Sequence, residues 1–172
     1  PMSVLSHNAI LKAIEDKEIS ISPLTPENIG PASVDLSLSN EFRLFKNKPE
    51  PLDIKESTNY RDETEVYTVK DGEYFELTPH TTCLGITQET VKLSDSICGL
   101  LEGRSRFARL GLFVHITASF MNPGINNRQV LEIYNSSNRS IRLYPGERVC
   151  QMIFMRMEGN AKYGGIFANN YL

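Results

Sequence analysis

From Ile19 onward, turn signals interrupt the sequence so often that no helix of ordinary length fits between them. The segments they bound are ISISP, SVDLSLSNEFRLF, TEVYTV, EYFELTP, CLGITQE, SICGLLEG, LFVHITASF, RQVLEIYN and SIRLYPGERVCQMIF. They are rich in β-branched and aromatic residues, and many short strands of this kind specify a mainly β fold, a barrel or a jelly-roll-like sandwich. One segment ahead of them differs. Ser6 precedes HNAILKAIEDKEI, where Ile10, Leu11 and Ile14 recur at helical spacing, so a short helix capped by Ser6 is expected from Ser6 to about Asp16. The 172 residues suit a single domain, 1–172, with no internal repeat, low-complexity tract or linker to divide it. The polar run KNKPEPLDIKESTNYRDE reads as a plain surface loop.

Charge narrows the partners. A formal net charge of −3 argues against a protein that binds nucleic acid, whose affinity would rest on an excess of Lys and Arg along one face. No apolar run is long enough to cross a bilayer, so no membrane partner is expected. The three cysteines, Cys83, Cys98 and Cys150, form no C-x-x-C pair and sit in apolar strand-like contexts, which fits reduced core thiols. With neither a basic region nor an apolar stretch in PMSVLSHN, no secretory signal is expected, and the expected location is cytoplasmic.

Against this background GRSRFARLGL stands out, with three arginines, Arg104, Arg106 and Arg109, inside six residues. Gly103 permits close backbone approach and Ser105 can cap a short helical turn, on which Ser105 and Arg109 would share a face. Guanidinium forks here suit a phosphate chain, although a solvated basic turn fits this stretch equally well on its own. In RQVLEIYN, period-2 alternation puts Val130, Glu132 and Tyr134 on one face and Leu131 and Ile133 on the other. Apolar and aromatic neighbours on both sides are compatible with a buried Glu132, and burial tunes a carboxyl toward proton exchange near neutral pH; on the pattern alone a Glu on a solvent face of an antiparallel sheet is the commoner case. His115, in one strand with Thr117 and Ser119, is a weaker candidate. No P-loop, G-x-S-x-G, H-E-x-x-H or dinucleotide fingerprint occurs, and neither does the H-x-E with P-C-x-x-C of the zinc deaminases.

Taken in order, PASVDLSLSNEF (31–42), LTPHTTCLGITQETVKL (77–93), GRSRFARLGL (103–112), NPG with VLEIYN (122–135), YPGERVCQMIF (144–154) and AKY (161–163) closely resemble the dCTP deaminase family, which is related to the trimeric dUTPases. The resemblance implies a homotrimer of distorted β-barrel or jelly-roll subunits, with active sites at subunit interfaces and a C-terminal segment, about 156–172, that closes over nucleotide. It implies hydrolytic removal of the cytosine amine from dCTP to give dUTP and ammonia, supplying the dUMP and dTTP pathway, with magnesium carried by the triphosphate and no zinc. Mapped by motif, Glu132 matches the family's catalytic glutamate, Ser105 and the main chain near Ala118 position the attacking water, and Arg109 supports the site across the interface. Arg104 with the adjoining backbone resembles the triphosphate cradle, and Arg106 beside it is a further candidate for binding substrate. Gln151 is similar to a glutamine that meets phosphates, Val130 and Leu131 flank the base, and Lys162 and Tyr163 belong to the closing segment. Asp35 matches a structural position. Feedback by dTTP is a further family property.

The chain departs from the family where substrate would lie. Asn122 replaces the usual Asp before Pro-Gly, and an amide can meet a sugar hydroxyl but is a poor base. Ile125 and Asn127 replace an aromatic residue and a glycine, Arg106 replaces a serine, the tail after Phe154 is short, and Ile166 stands for a glutamine. The alternatives are therefore a dUTPase-like or bifunctional pyrophosphatase, and a catalytically weakened nucleotide-binding paralogue.

Overall fold

The structure, a computed structural model, describes residues 3–165 and 172. In chain order these form β1 (Ser3–Val4), α1 (His7–Glu15), β2 (Ile19–Ser22), β3 (Val34–Phe45), β4 (Thr64–Thr68), β5 (Phe75–Leu77), β6 (Thr82–Leu93) and β7 (Ile97–Gly103). There follow α2 (Ser105–Ala108), β8 (Leu112–Val114), β9 (Phe120–Met121), β10 (Asn126–Asn135), β11 (Ile141–Leu143) and β12 (Arg148–Arg156). Ten strands make one sheet in the order β8-β10-β6-β3-β12-β7-β9, with β2 added on β6, β4 on β3 and β1 on β12, while β5 and β11 pair separately. The sheet curls as a half-barrel, the mainly β architecture expected.

Curling lets one face of every long strand reach a common core. Leu36, Leu38, Phe42, Leu101, Leu131, Ile133 and Phe154 are completely or almost completely buried there. Three consecutive pairings across β12, β3, β6 and β10 carry register shifts, between Arg148 and Cys150, between Leu38 and Phe42, and opposite Arg128 and Val130. Extra residues on one strand of a pair increase twist and bend, so these bulges help roll the sheet. They also bring Glu89 inside, where both carboxylate oxygens face the Ser37 backbone N–H at 3.0 and 2.9 Å. Burial pushes the Glu89 carboxyl above its ordinary range.

The expected helix is present but buries a different face. Ile10 and Ala13, three apart, enter the core, while Leu11 points outward and Ile14 is half-buried. Ser6 stands at the N-cap position without a capping bond from its side chain; its carbonyl accepts from Ile10 N at 2.8 Å. LFVHITASF does not form one strand. β8 ends at Val114 because His115 adopts a left-handed φ of 56°, and pairing resumes only at Phe120, so His115, Thr117 and Ser119 share no strand face. All three cysteines are buried with free thiols, and burial holds Cys83 up at about 12. No helix among the described residues is long and apolar enough to cross a membrane.

The polar excursion after β3 is held down. Lys46 Nζ donates to Asp62 O at 2.8 Å, Lys48 pairs with Glu63 at 2.8 Å, and Thr58 Oγ1 donates to Asp53 O at 2.8 Å. Beyond β12 the chain returns across the molecule: Ala161 N donates to Asp95 O at 2.8 Å and Tyr163 N to Pro123 O at 3.0 Å. Ile166 lies outside the described residues.

Candidate active site

β10 places its outward residues as the alternation requires: Val130, Glu132 and Tyr134 are half-buried, while Leu131 and Ile133 are sealed in the core. Leu84 of β6 is the cross-strand partner of Glu132, and Arg43 of β3 is the partner of Leu84. Glu132, Leu84 and Arg43 thus stand in a row on the outer face of the sheet. A cavity of about 420 Å³ covers part of this face. Its floor includes Leu84, Val130 and Glu132. One rim comes from His115, Ala118, Phe120, Met121 and Asn122, and Ile125, Asn127 and Gln129 follow at the turn into β10. Phe45 and Tyr60 close another side, and Tyr163 reaches in from the C-terminal segment.

His115 is the nearest polar neighbour of Glu132. It is only 4% exposed, donates its backbone N–H to Glu132 O at 2.8 Å, and brings Nδ1 to 2.7 Å from Glu132 Oε2. That close approach is not aligned as a hydrogen bond, so both ring nitrogens and Oε2 lack a hydrogen-bond partner among the described residues. Glu132 itself is less enclosed than the sequence suggests: its side chain is 41% exposed, because the outer face is roofed by loops and not by a second sheet. Oε2 itself is sealed from solvent, so the exposure belongs to the rest of the side chain, and a carboxylate that borders a cavity in this way can act as a proton acceptor without leaving its strand.

The arginine cluster lies elsewhere in the chain. β7 ends at Gly103, where a Cβ would stand 3.3 Å from Val114 O, so the close approach read from the sequence is real. Arg104, not Ser105, occupies the N-cap position of α2; Ser105 is its first residue, and Arg109 N donates to Ser105 O at 3.1 Å. Ser105, Arg106 and Arg109 are exposed. Arg104 is engaged with Asp35 at 3.0 Å and donates to Arg148 O at 2.8 Å, with Arg148 also 3.6 Å from Asp35. Gln151 accepts from Ser33 Oγ at 2.9 Å and donates to Gly103 O at 3.3 Å. None of these six groups, Arg104, Ser105, Arg106, Arg109, Asp35 or Gln151, lines the cavity of Glu132.

Of the other residues singled out in the sequence, Ala118, Asn122, Val130 and Tyr163 line the cavity. The Leu131 side chain does not, being buried in the core on the opposite face of β10. Lys162 packs on Gly124, whose φ of 76° and missing Cβ leave room for it: an added Cβ would come within 2.7 Å of the lysine. Sequence reasoning missed Phe45, Tyr60, Leu84 and Gln129 as pocket residues. Gln129 is 3% exposed; its N–H donates to Thr87 Oγ1 at 2.9 Å and its Nε2 to Asn127 Oδ1 at 2.7 Å. The one available signal was a pair of carboxamides alternating just before Val130, where a buried polar residue needs a partner.

The curled antiparallel sheet is a fold shared with dUTPase-like structural neighbours. The chain matches the structure of 2'-deoxycytidine 5'-triphosphate deaminase from Agrobacterium tumefaciens with a TM-score of 0.71 at 16% identity, covering 91% of this chain and 48% of that one. It therefore spans about half the length of that protein. It also matches a dUTPase from phage phi11 of S. aureus with a TM-score of 0.53 at 10% identity, over 86% of this chain and 96% of that one. The chain belongs to the dCTP deaminase-like family, whose model matches residues 4–157. Relatives named "dCTP deaminase, dUMP-forming" occur in Methanobrevibacter smithii, 40% identical over 91% of this chain and 81% of the relative, and in Bifidobacterium adolescentis, 39% identical over 93% and 82%.

Proposed function

We propose that the protein hydrolytically deaminates dCTP, with Glu132 as the base. The observation that carries this is the carboxylate of Glu132, open to a cavity among Val130, Leu84 and His115. A cytosine lying there with C4 toward Glu132 meets a water that the carboxylate deprotonates. The water oxygen bonds to C4, its protons pass to N3 and to the amine, and ammonia leaves. In this reading Asn122 and Tyr163, which line the cavity, meet the sugar hydroxyl and close the site, respectively.

Ser105, Arg109 and the triphosphate-binding Arg104, Arg106 and Gln151 lie off this cavity, so in this reading a second subunit supplies them and the working form is the homotrimer. Lys162 sits at the edge of the same turn as Asn122. Asp35 already faces two guanidiniums, at 3.0 and 3.6 Å, so magnesium would arrive with the triphosphate and take its ligands from phosphate and water. No zinc is required.

The product is the finer point. The sequence reading expects dUTP, because Asn122 offers no carboxylate to activate water at phosphorus; the relatives' names, dUMP-forming, favour a second reading in which dUTP is hydrolysed further. Incubation with dCTP and magnesium, with products separated over time, decides between them. Stoichiometric dUTP and ammonia is the expected result, dUMP with pyrophosphate selects the second reading, and unchanged bound dCTP sinks both. Glu132→Gln is expected to retain dCTP binding and lose turnover by at least about 100-fold.

A further inference from the structure

We propose that the protein also deaminates 5-methyl-dCTP, and that Leu84, Phe45 and Tyr60 form the wall that receives the 5-methyl group. The inference rests on the reading of Glu132 as the base at C4, and it concerns what lies beside that position. A pyrimidine with C4 toward Glu132 has two neighbouring ring positions, N3 and C5. The edge through N3 and O2 requires hydrogen-bond partners, whereas the C5–C6 edge offers none and is best met by apolar surface.

The cavity's polar groups keep to one set of elements. Its carboxamides, Asn122, Asn127 and Gln129, belong to the turn and the start of β10, where Phe120, Met121 and Ile125 also line it, and His115 stands on the rim one residue past β8. From Glu132 across the sheet, the first side chain is that of Leu84, its direct cross-strand partner. Arg43 comes next in the row, and Phe45, two residues along β3, shares its face. Tyr60 comes from the excursion that reads in the sequence as a plain loop. The residues that line the cavity in the direction from Glu132 toward Leu84, Phe45 and Tyr60 are therefore apolar and aromatic, while the Arg43 guanidinium in the same row is outside the lining and turned to Thr64.

This wall is fixed in place. Arg43, 9% exposed, donates Nη1 to Thr64 Oγ1 at 3.1 Å, and the same hydroxyl donates to Tyr60 O at 2.8 Å. The Arg43 guanidinium lies 5.9 Å and that of Arg61 4.9 Å from the centre of the Tyr60 ring. A wall held at its backbone and its ring can discriminate by shape.

The reaction balances as for dCTP. Water supplies the oxygen at C4, its two protons end on N3 and on the departing ammonia, no electrons change hands, and the product is dTTP. The test places equal concentrations of dCTP and 5-methyl-dCTP in one tube with magnesium, so that the rate ratio reports their relative kcat/KM whatever fraction of the protein is active. Both nucleotides are expected to react. In Phe45→Ala and Tyr60→Ala the ratio of 5-methyl-dCTP to dCTP turnover is expected to change by about tenfold, the scale of one methyl group in a shaped apolar pocket. Turnover of dCTP alone, or a ratio unmoved in both variants, overturns this inference and leaves the deaminase reading standing. Turnover of neither by the unaltered protein overturns both.

Discussion

Glu89 is a carboxyl sealed between strands, 2% exposed, with both oxygens turned to the Ser37 backbone N–H and with the Ser37 side chain and its own backbone N–H also acting on it. Desolvation raises its pKa, with the Ser37 contacts opposing. In the folded protein it therefore keeps its proton to higher pH than in the unfolded chain, and the folded state binds more protons in that window. The associated stability is full below the ordinary Glu range, about pH 4, and is lost as pH rises through the raised value. Glu89→Gln, which keeps an acceptor for Ser37 without a charge, should flatten this decline. Urea unfolding of both proteins from about pH 4 upward checks it, and an identical slope would assign the decline to other groups. For Glu132 the alternation of Val130, Glu132 and Tyr134 was enough to place it on the outer face. Its exposure was not legible, because that depends on loops remote in sequence that roof the sheet.

At the scale of elements, the excursion between β3 and β4 contributes more than its polar composition suggests. Thr64, 3% exposed at the start of β4, accepts from Arg43 and donates to the backbone of Tyr60. Thr64→Val preserves shape and removes both bonds, leaving a buried guanidinium, whose Nε already lacks a hydrogen-bond partner among the described residues, with one contact fewer. A loss of about 1–3 kcal/mol is expected, measured by denaturant unfolding; a loss below the error of that measurement would show that water replaces the hydroxyl. The strands themselves were largely legible, since each is bounded by turn residues. The break at His115 was not: LFVHITASF is apolar and β-branched on both sides of it, and a left-handed backbone at a histidine leaves no mark in hydrophobic periodicity. α2 was legible as a turn, but the residue at its cap was displaced by one, because Arg104 stays extended while it pairs with Asp35.

Across the whole molecule, the residues assigned to the proposed reaction fall into two groups, one around the cavity and one around α2. Leu110, Ile116 and Phe120, in and beside the segments that carry these groups, are 69%, 63% and 52% exposed, an unusual display of large apolar side chains. If each working site draws Glu132 from one subunit and Ser105 from the next, then Glu132→Gln and Ser105→Ala proteins, each inactive alone, should recover activity when unfolded and refolded together. Random assembly restores about one quarter of the sites, since a site needs both intact donors. A mixture as inactive as its components would place both residues in one chain's site. The mainly β class follows from local chemistry repeated along the chain. The proposed gathering of Glu132 with Ser105 has no local signature, because no periodicity records which surface meets a second copy.

Tyr60 stands on a stretch outside every strand, tethered to the sheet by side chains and a few turn contacts. Insertions, deletions and substitutions can accumulate there without disturbing the ladder that carries Glu132 or the bend that carries His115. In the proposed reaction, what the pocket admits and what it does to its guest are consequently inherited on separable pieces of chain, so a lineage under pressure from a new nucleotide could change its diet long before it changed its chemistry.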